Sequence, residues 1–520
     1  MNNIRPVTLL LFLISFNGVA QEKVTVSTHS EAVGKNLLTG EPIQATAYTF
    51  PERIHNFQID TLNNYLTIQL RGLSKNGKWL NNKGYVVRYD AAAKKTLWSE
   101  RIAFEVESIE QYGGITIHTS GGKSYCLDNK TGKQLWEVKN SLIFIDPVHK
   151  MGIGYKLQAA KGAENIVEGI DLTNGHPILQ RKISRDYGWN AVLYLNDSTL
   201  LIVASGLHSL NTRDGIGWDY NTITGKKNYT ASAVGAGLGI AAGLLTGTYA
   251  VPTGYNLVRD VISNTIIDSL NIYFASKEHL VKLSKEGVVQ WQTSLPDDLT
   301  SKSWIFKYKD HLVLVNSGYA YMGYRQLDFG KPFIASFDLN TGEKIYLKLI
   351  TNEKKETIKD IKHQGKELLV IFDDHISKYS IIDGRLVADK NLDTDEYGAP
   401  NYFIGDRIFV ERDASFISLT GLDSTQYYLY TKSGKIVVLN GNLKALKAID
   451  PKDYYVYYLN KNNLKFIAKG DQTLVIDTDG RKVAEFSASS RSRLLNNRMY
   501  SVNGKDLLEI DVKNIFRSKE

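Results

Sequence analysis

The side chains best able to do chemistry are few and dispersed. The sequence holds one cysteine, Cys126, and ten histidines. No two histidines form His-x-His or His-Glu-x-x-His, the spacings that bring two imidazoles onto one metal ion. A single cysteine excludes an intramolecular disulfide and a Cys-based zinc site, and on a strand it reads as a small buried hydrophobe. No Gly-x-Ser-x-Gly marks a nucleophile elbow. Asp373-Asp374-His375 sets two carboxylates beside an imidazole, types that can relay a proton. Lying between Val370-Ile371-Phe372 and Ile376, they read as a charged hairpin turn. Lys94-Lys95 and Lys354-Lys355 read as solvated turns.

The elements that would position any such group are short and repetitive. Tyr125-Cys126-Leu127-Asp128-Asn129-Lys130-Thr131-Gly132-Lys133-Gln134-Leu135-Trp136 reads as strand, tight turn, strand. Asp128 can fold its carboxylate onto N–H groups of the turn. Gly132 supplies a positive φ, and Trp136 is a large apolar plug for the next strand. Asp90 stands in the same relation to Trp98, and Asp338 and Gly342 to Tyr346. Ser284 and Gly287 lead to Trp291 with one residue fewer, and weaker copies fall at Asp171, Asn211, Ser380, Asn440, Asp477 and Asp511. Upstream of the turn, Ile115–Thr119 and Tyr428–Thr431 each run into a glycine hairpin. Strand, hairpin, strand, Asp-turn, strand at a period of roughly 40 residues predicts an all-β propeller with one antiparallel sheet per repeat. The spacing favours about eight four-stranded blades, with seven to ten compatible.

The segment Asp128-x-x-Thr131-Gly132-Lys133-x-x-Trp136 resembles the tryptophan docking motif of the PQQ-like β-propeller repeat superfamily. That superfamily takes in quinoprotein alcohol dehydrogenases and BamB, the propeller lipoprotein of the outer-membrane β-barrel assembly machine. Asp338-x-x-Thr341-Gly342-Glu343-x-x-Tyr346 is the next best copy. The resemblance implies that Asp90, Trp98, Asp128, Gly132, Trp136, Trp291, Asp338 and Gly342 lock neighbouring blades together, a structural role silent on activity. The dehydrogenases commonly add an adjacent Cys-Cys pair over their quinone and acidic ligands for calcium. One cysteine precludes the first, and no acidic cluster suits the second. No PQQ or other cofactor, no metal site and no catalytic residue is therefore expected.

Composition sets the frame. The chain has 520 residues with 63 Lys and Arg against 55 Asp and Glu, and Tyr is abundant at 30 where Pro is scarce at 10. Tyrosine with short β-branched runs favours strands. The basic residues are scattered, so nucleic acid is not an expected partner. Residues 1–20 read as a signal peptide: Arg5 is the positive start, Val7 to Phe16 the apolar core, and Gly18-Val19-Ala20 the small residues before cleavage. Residues 21–53 read as a polar leader and 54–520 as the propeller, with Leu507–Ile510 joining the first blade to close the ring.

One stretch departs from the repeat. The uncharged insertion 228–258 carries Gly235, Gly239, Gly243 and Gly247 every four residues, with Leu244 and Leu245 alongside. On a helix these glycines would make one smooth face of the kind that lets helices approach closely. The expectation is contact with a membrane surface or an envelope protein, set against internal packing in the propeller. Gly206–Leu210 and Gly215–Tyr220 read as a Gly-aromatic loop on the same face. The sequence thus points to an exported, non-enzymatic propeller, periplasmic, outer-membrane associated or extracellular, serving as a protein-binding or scaffold module. The competing reading is a PQQ-dependent or sugar-acting oxidoreductase with its site in the central channel.

Overall fold

The computed structural model describes residues 24–60, 62–156, 166–183, 191–204, 206–221, 263–322, 325–350, 356–423, 425–495 and 497–517. Its strands form antiparallel meanders. Eight are separate four-stranded sheets: blade 1 (54–103), blade 2 (107–138), blade 3 (140–182), blade 4 (191–221), blade 5 (266–294), blade 6 (303–349), blade 7 (360–391) and blade 8 (400–449). Two further four-stranded units, blade 9 (455–487) and blade 10, belong to one continuous eleven-stranded sheet. Ten blades are therefore seen among the described residues, the upper end of the range that the spacing allowed.

Each blade is clamped between two others, and that explains its sequence. The middle strands are covered on both faces, so they read as unbroken apolar runs. Leu312, Val313, Leu314 and Val315 are all buried, as are Leu200 to Val203. The fourth strands have one face against the next blade and one in water, so they alternate; in Gln134–Val138 only Trp136 is buried. The first strands lie innermost, where side chains of neighbouring blades meet across the axis. Gln58 accepts from Gln111 N at 3.0 Å, Asn264 brackets Ile305, and Asp360 accepts from Phe403 N at 2.9 Å.

The buried clusters trace the ring. One joins blades 1 and 2 through Val86, Trp98, Ile109 and Leu127, and another joins blades 3 and 4 through Ile153, Leu179, Leu200 and Ile202. The series continues to blades 9 and 10 through Phe466, Phe486, Met499 and Ile510. Tyr48, Phe50 and Leu507 of blade 10 then pack with Ile54, Leu66 and Tyr89 of blade 1, which closes the circle.

The closure corrects the reading of 21–53 as a leader. Strand Pro42–Thr49 pairs with Asp506–Asp511, Ala47 opposite Leu508, and is the fourth strand of blade 10. Strand Ser27–Asn36 pairs with it and reaches the outer strand of blade 9, where Gly34 faces Phe486. A Cβ on Gly34 would lie 2.0 Å from the Glu485 carbonyl oxygen, so only glycine fits that crossing. The segment looked polar because Ser27–Asn36 meets blade 9 only over Gly34–Asn36 and holds most of its side chains in water. Asp506–Asp511 likewise pairs with this N-terminal segment rather than with a strand of blade 1.

Candidate functional site

The repeated turn builds a girdle around the ring. At Asp128 the carboxylate accepts from Lys130 N at 3.1 Å, from Thr131 N at 2.7 Å and from the Thr131 hydroxyl at 2.7 Å. The Thr131 hydroxyl above all holds this carboxyl below its usual range. Asp338 makes the same bonds to Asn340 N and Thr341 N at 2.9 and 2.8 Å. Asp90 accepts from Ala93 N at 2.8 Å, although its turn has Lys94 where the others have glycine.

The indoles dock on the turn of the following blade. Trp98 seats on Gly132 and donates Nε1–H to the Asn129 carbonyl at 3.0 Å. Trp136 seats on Gly175 and donates to the Leu172 carbonyl at 3.1 Å, and Trp291 seats on Gly342 and donates to the Leu339 carbonyl at 3.3 Å. The acceptor is each time the residue after the Asp anchor. Those carbonyls are left free by the turn, so the N–H of a buried indole finds its partner without distorting either sheet.

Two members of the girdle, Trp218 and Leu179, were not legible as such, whereas Tyr346 stands in the plug position that its motif gave it. Trp218, read as part of a binding loop, docks on Gly287 of blade 5 and donates to the Lys285 carbonyl at 2.8 Å. Gly206–Asn211, assigned to the same loop, is the third strand of blade 4. Tyr346 seats on Gly384 with its hydroxyl bonded to the Ile381 carbonyl, and Leu179 seats on Gly215 through apolar contact alone. The shared signal was the turn glycine, since Gly175, Gly215, Gly287 and Gly384 all have positive φ. From blade 8 to blade 9 a hairpin replaces the plug: Phe416 N donates to the Gly480 carbonyl at 2.8 Å.

The candidate chemical groups resolve into structural roles. Asp373, Asp374 and His375 form the blade 7 hairpin, His375 stacked on Phe372 at 4.3 Å and bonded to Asp374 at 2.9 Å. Cys126 is buried in the core between blades 2 and 3, and burial, with Asp128 nearby, pushes its thiol up to about 11. Among the described residues no three His, Cys, Asp or Glu side chains gather to hold a metal ion. Gly235, Gly239, Gly243, Gly247, Leu244 and Leu245 lie outside the described residues.

The two faces of the ring differ. In a four-stranded meander the first and third turns fall on one face, while the middle turn and the link to the next blade fall on the other. Among the described residues the first face carries short turns such as Gly113-Gly114, Lys309-Asp310 and Asn462-Asn463, together with the hairpin Ile408–Arg412 with Ser415–Ser418 in blade 8 and the helix Lys513–Arg517 beside blade 10. The link face carries the long 71–82 connection of blade 1 and the hairpin Tyr319–Met322 with Arg325–Asp328 of blade 6. The strands that flank 222–262, Asp219–Asn221 and Ile266–Ile267, also leave and re-enter the ring there.

Ten meanders closed on themselves, with indole-over-glycine docking at four of their joints, define a β-propeller of the tryptophan-docking kind. Residues 79–242 match the family model described as outer membrane protein assembly factor BamB, which supports PQQ-like, BamB-like repeats over that part of the chain. No curated protein matches the chain. Among solved structures, BamB from Moraxella catarrhalis is 15% identical over 71% of this chain and 93% of its own, with a TM-score of 0.34. A eukaryotic initiation factor is 11% identical over 86% of this chain and 98% of its own, with a TM-score of 0.35. Among the described residues no helix is long and apolar enough to cross a membrane.

Proposed function

We propose that this chain is an exported, non-enzymatic propeller that binds protein at the bacterial cell envelope, with the link face as its working surface. The observation that carries the reading is the inequality of the two faces. Short turns cost little and serve closure of the ring, whereas long connections add exposed backbone that stability alone does not require. The family that matches residues 79–242 is described as an outer-membrane assembly factor, and a propeller that presents loops to a partner fits that description. Export rests on Arg5, the apolar run Val7 to Phe16 and the small residues Gly18-Val19-Ala20.

In this reading the Gly-rich insertion, whose flanking strands Asp219–Asn221 and Ile266–Ile267 end at the link face, makes the contact with an envelope protein or the membrane surface. Purified mature chain, with and without residues 231–251, is incubated with envelope membranes and the bound fraction measured. Association lost with the insertion, at unchanged melting temperature, is the expected result. Equal association of both forms would sink the assignment to the insertion. Quinone-type absorbance in the same sample would overturn the non-enzymatic reading.

A further inference from the structure

A cleft of about 860 Å³ opens on the link face where blades 9, 10 and 1 meet. Its walls are the entry to blade 1 at 53–57, part of the 71–82 connection, the blade 9 hairpin tip Gly470-Asp471, the 489–493 link and the blade 10 hairpin at 502–504. Arg53, Lys78, Arg491 and Arg493 line it, and Asp471 is its one carboxylate. Four permanent cations against one anion leave a local charge near three, in a protein whose whole net charge is +8.

Among the described residues Arg53, Lys78, Arg491 and Arg493 make no ion pair. The arginine pairs among the described residues belong to Arg88, Arg181, Arg385, Arg412, Arg481 and Arg498. Arg493 is set in place by the Phe57 ring, 5.4 Å from its guanidinium carbon. Behind the cleft, Arg71 stacks on Phe104 at 4.7 Å and donates to the Asn81 carbonyl at 2.9 Å. His55 reports the field: burial, then Arg71, Arg53 and Arg491, hold its imidazole below its ordinary value. Like charges gathered this way repel one another in the free protein, and an anion of matching charge removes that repulsion.

We propose that the cleft binds a small soluble ligand bearing a diphosphate group. A terminal diphosphate, esterified at one end only, carries about three negative charges near neutral pH, and guanidinium forks grip phosphate oxygens two at a time. The hydroxyls of Ser489 and Ser490, which also line the cleft, add neutral donors. The volume is that of a small-molecule site. The proposal is independent of the scaffold reading, because it uses no residue of 222–262.

Calorimetric titration of the mature protein with inorganic pyrophosphate at fixed ionic strength tests it, with citrate as a control of similar charge. One saturable site is expected, with citrate weaker by about tenfold or more. The R53Q/R491Q double variant should weaken pyrophosphate at least about tenfold while the ligand-free melting temperature holds, since both side chains are exposed. Lys130→Gln, on the opposite face, should change nothing. If the double variant fails to fold, Ser490→Asp places a carboxylate in the cleft and should give the same loss. No saturable uptake by the native chain, citrate binding as tight as pyrophosphate, or equal loss in Lys130→Gln would each overturn the proposal.

Discussion

The Trp98 indole lies on Gly132 of the next blade, and its Nε1–H reaches the Asn129 carbonyl at 3.0 Å. A Cβ placed on Gly132 would sit 2.8 Å from Trp98 Cγ, at a φ of +68°. Gly132→Ala therefore meets two penalties, left-handed backbone and overpacking. Gly121 has φ +58° but nothing within 4 Å of its Cβ position, so Gly121→Ala meets only the first. Urea unfolding should show a loss of about 1–2 kcal/mol for Gly121→Ala and a further loss of about 1–3 kcal/mol for Gly132→Ala. Equal losses would mean that the docking contact is not tight.

Trp98 is nearly fully buried, whereas Trp79 on the blade 1 connection is 71% exposed. Trp98→Ala should cost about 3–5 kcal/mol, and Trp79→Ala within about 0.5 kcal/mol. Melting curves of the two variants suffice to decide, and a comparable drop in both would contradict the girdle.

Blade 1 encloses an ion pair. Arg88 and Asp60 are almost completely removed from solvent, and Arg88 also bonds the Thr67 hydroxyl at 2.6 Å and the Gln111 amide oxygen of blade 2. Removing one partner strands the other charge. Asp60→Asn or Arg88→Met alone should cost about 3–5 kcal/mol. The D60N/R88M double variant should lose less than the two single losses added together. Additive losses would show that the pair is not coupled.

Asp268 of blade 5 is bonded by Lys307 of blade 6 and by Leu270 N and Asn271 N at 2.9 and 2.7 Å. Burial acts upward on its carboxyl, but Lys307 and the two N–H groups outweigh it and hold the group at about 2. A carboxyl depressed in the folded state stabilises it above its unfolded value of 3.8, and that contribution fades as pH falls toward 2. The stability gap between native protein and Asp268→Asn should thus be full at pH 5 and shrink between pH 4 and 2. A gap that does not change with pH would refute the linkage.

The N-terminal strands are the clasp of the ring. A chain starting at residue 50 lacks both Ser27–Asn36 and Pro42–Thr49, which exposes the edge of Asp506–Asp511 and uncovers Met499, Leu508 and Ile510. Open, apolar strand edges pair with other chains. Light scattering should find this truncation aggregated or strongly destabilised; a monomer melting at the native temperature would show that closure lies elsewhere.

Much of this was legible locally. Asp128, Gly132 and Trp136 declare a turn and a plug because carboxylate capping, positive φ and indole size are properties of a few consecutive residues. The roughly 40-residue period follows from repeating them. Trp218 was misread because its neighbours Gly215 and Gly217 look like a loop, and only the approach of Gly287 from blade 5 shows what the indole covers. The deviant copies at Leu179 and Tyr346 lack the indole signal while filling the same seat.

By itself, the sequence determined most of the strands and turns and the plugs Trp98, Trp136, Trp291 and Tyr346, since these depend on side-chain size and backbone preference over short spans. The tertiary structure decided the count of ten, the recruitment of residues 27–49 into closure and the convergence of Arg53, Lys78, Arg491 and Arg493. Those depend on pairings between residues more than 400 positions apart, such as Ala47 with Leu508. No local propensity encodes them; they arise because the last blade is complete, and the ring closed, only when the two chain ends meet in one sheet.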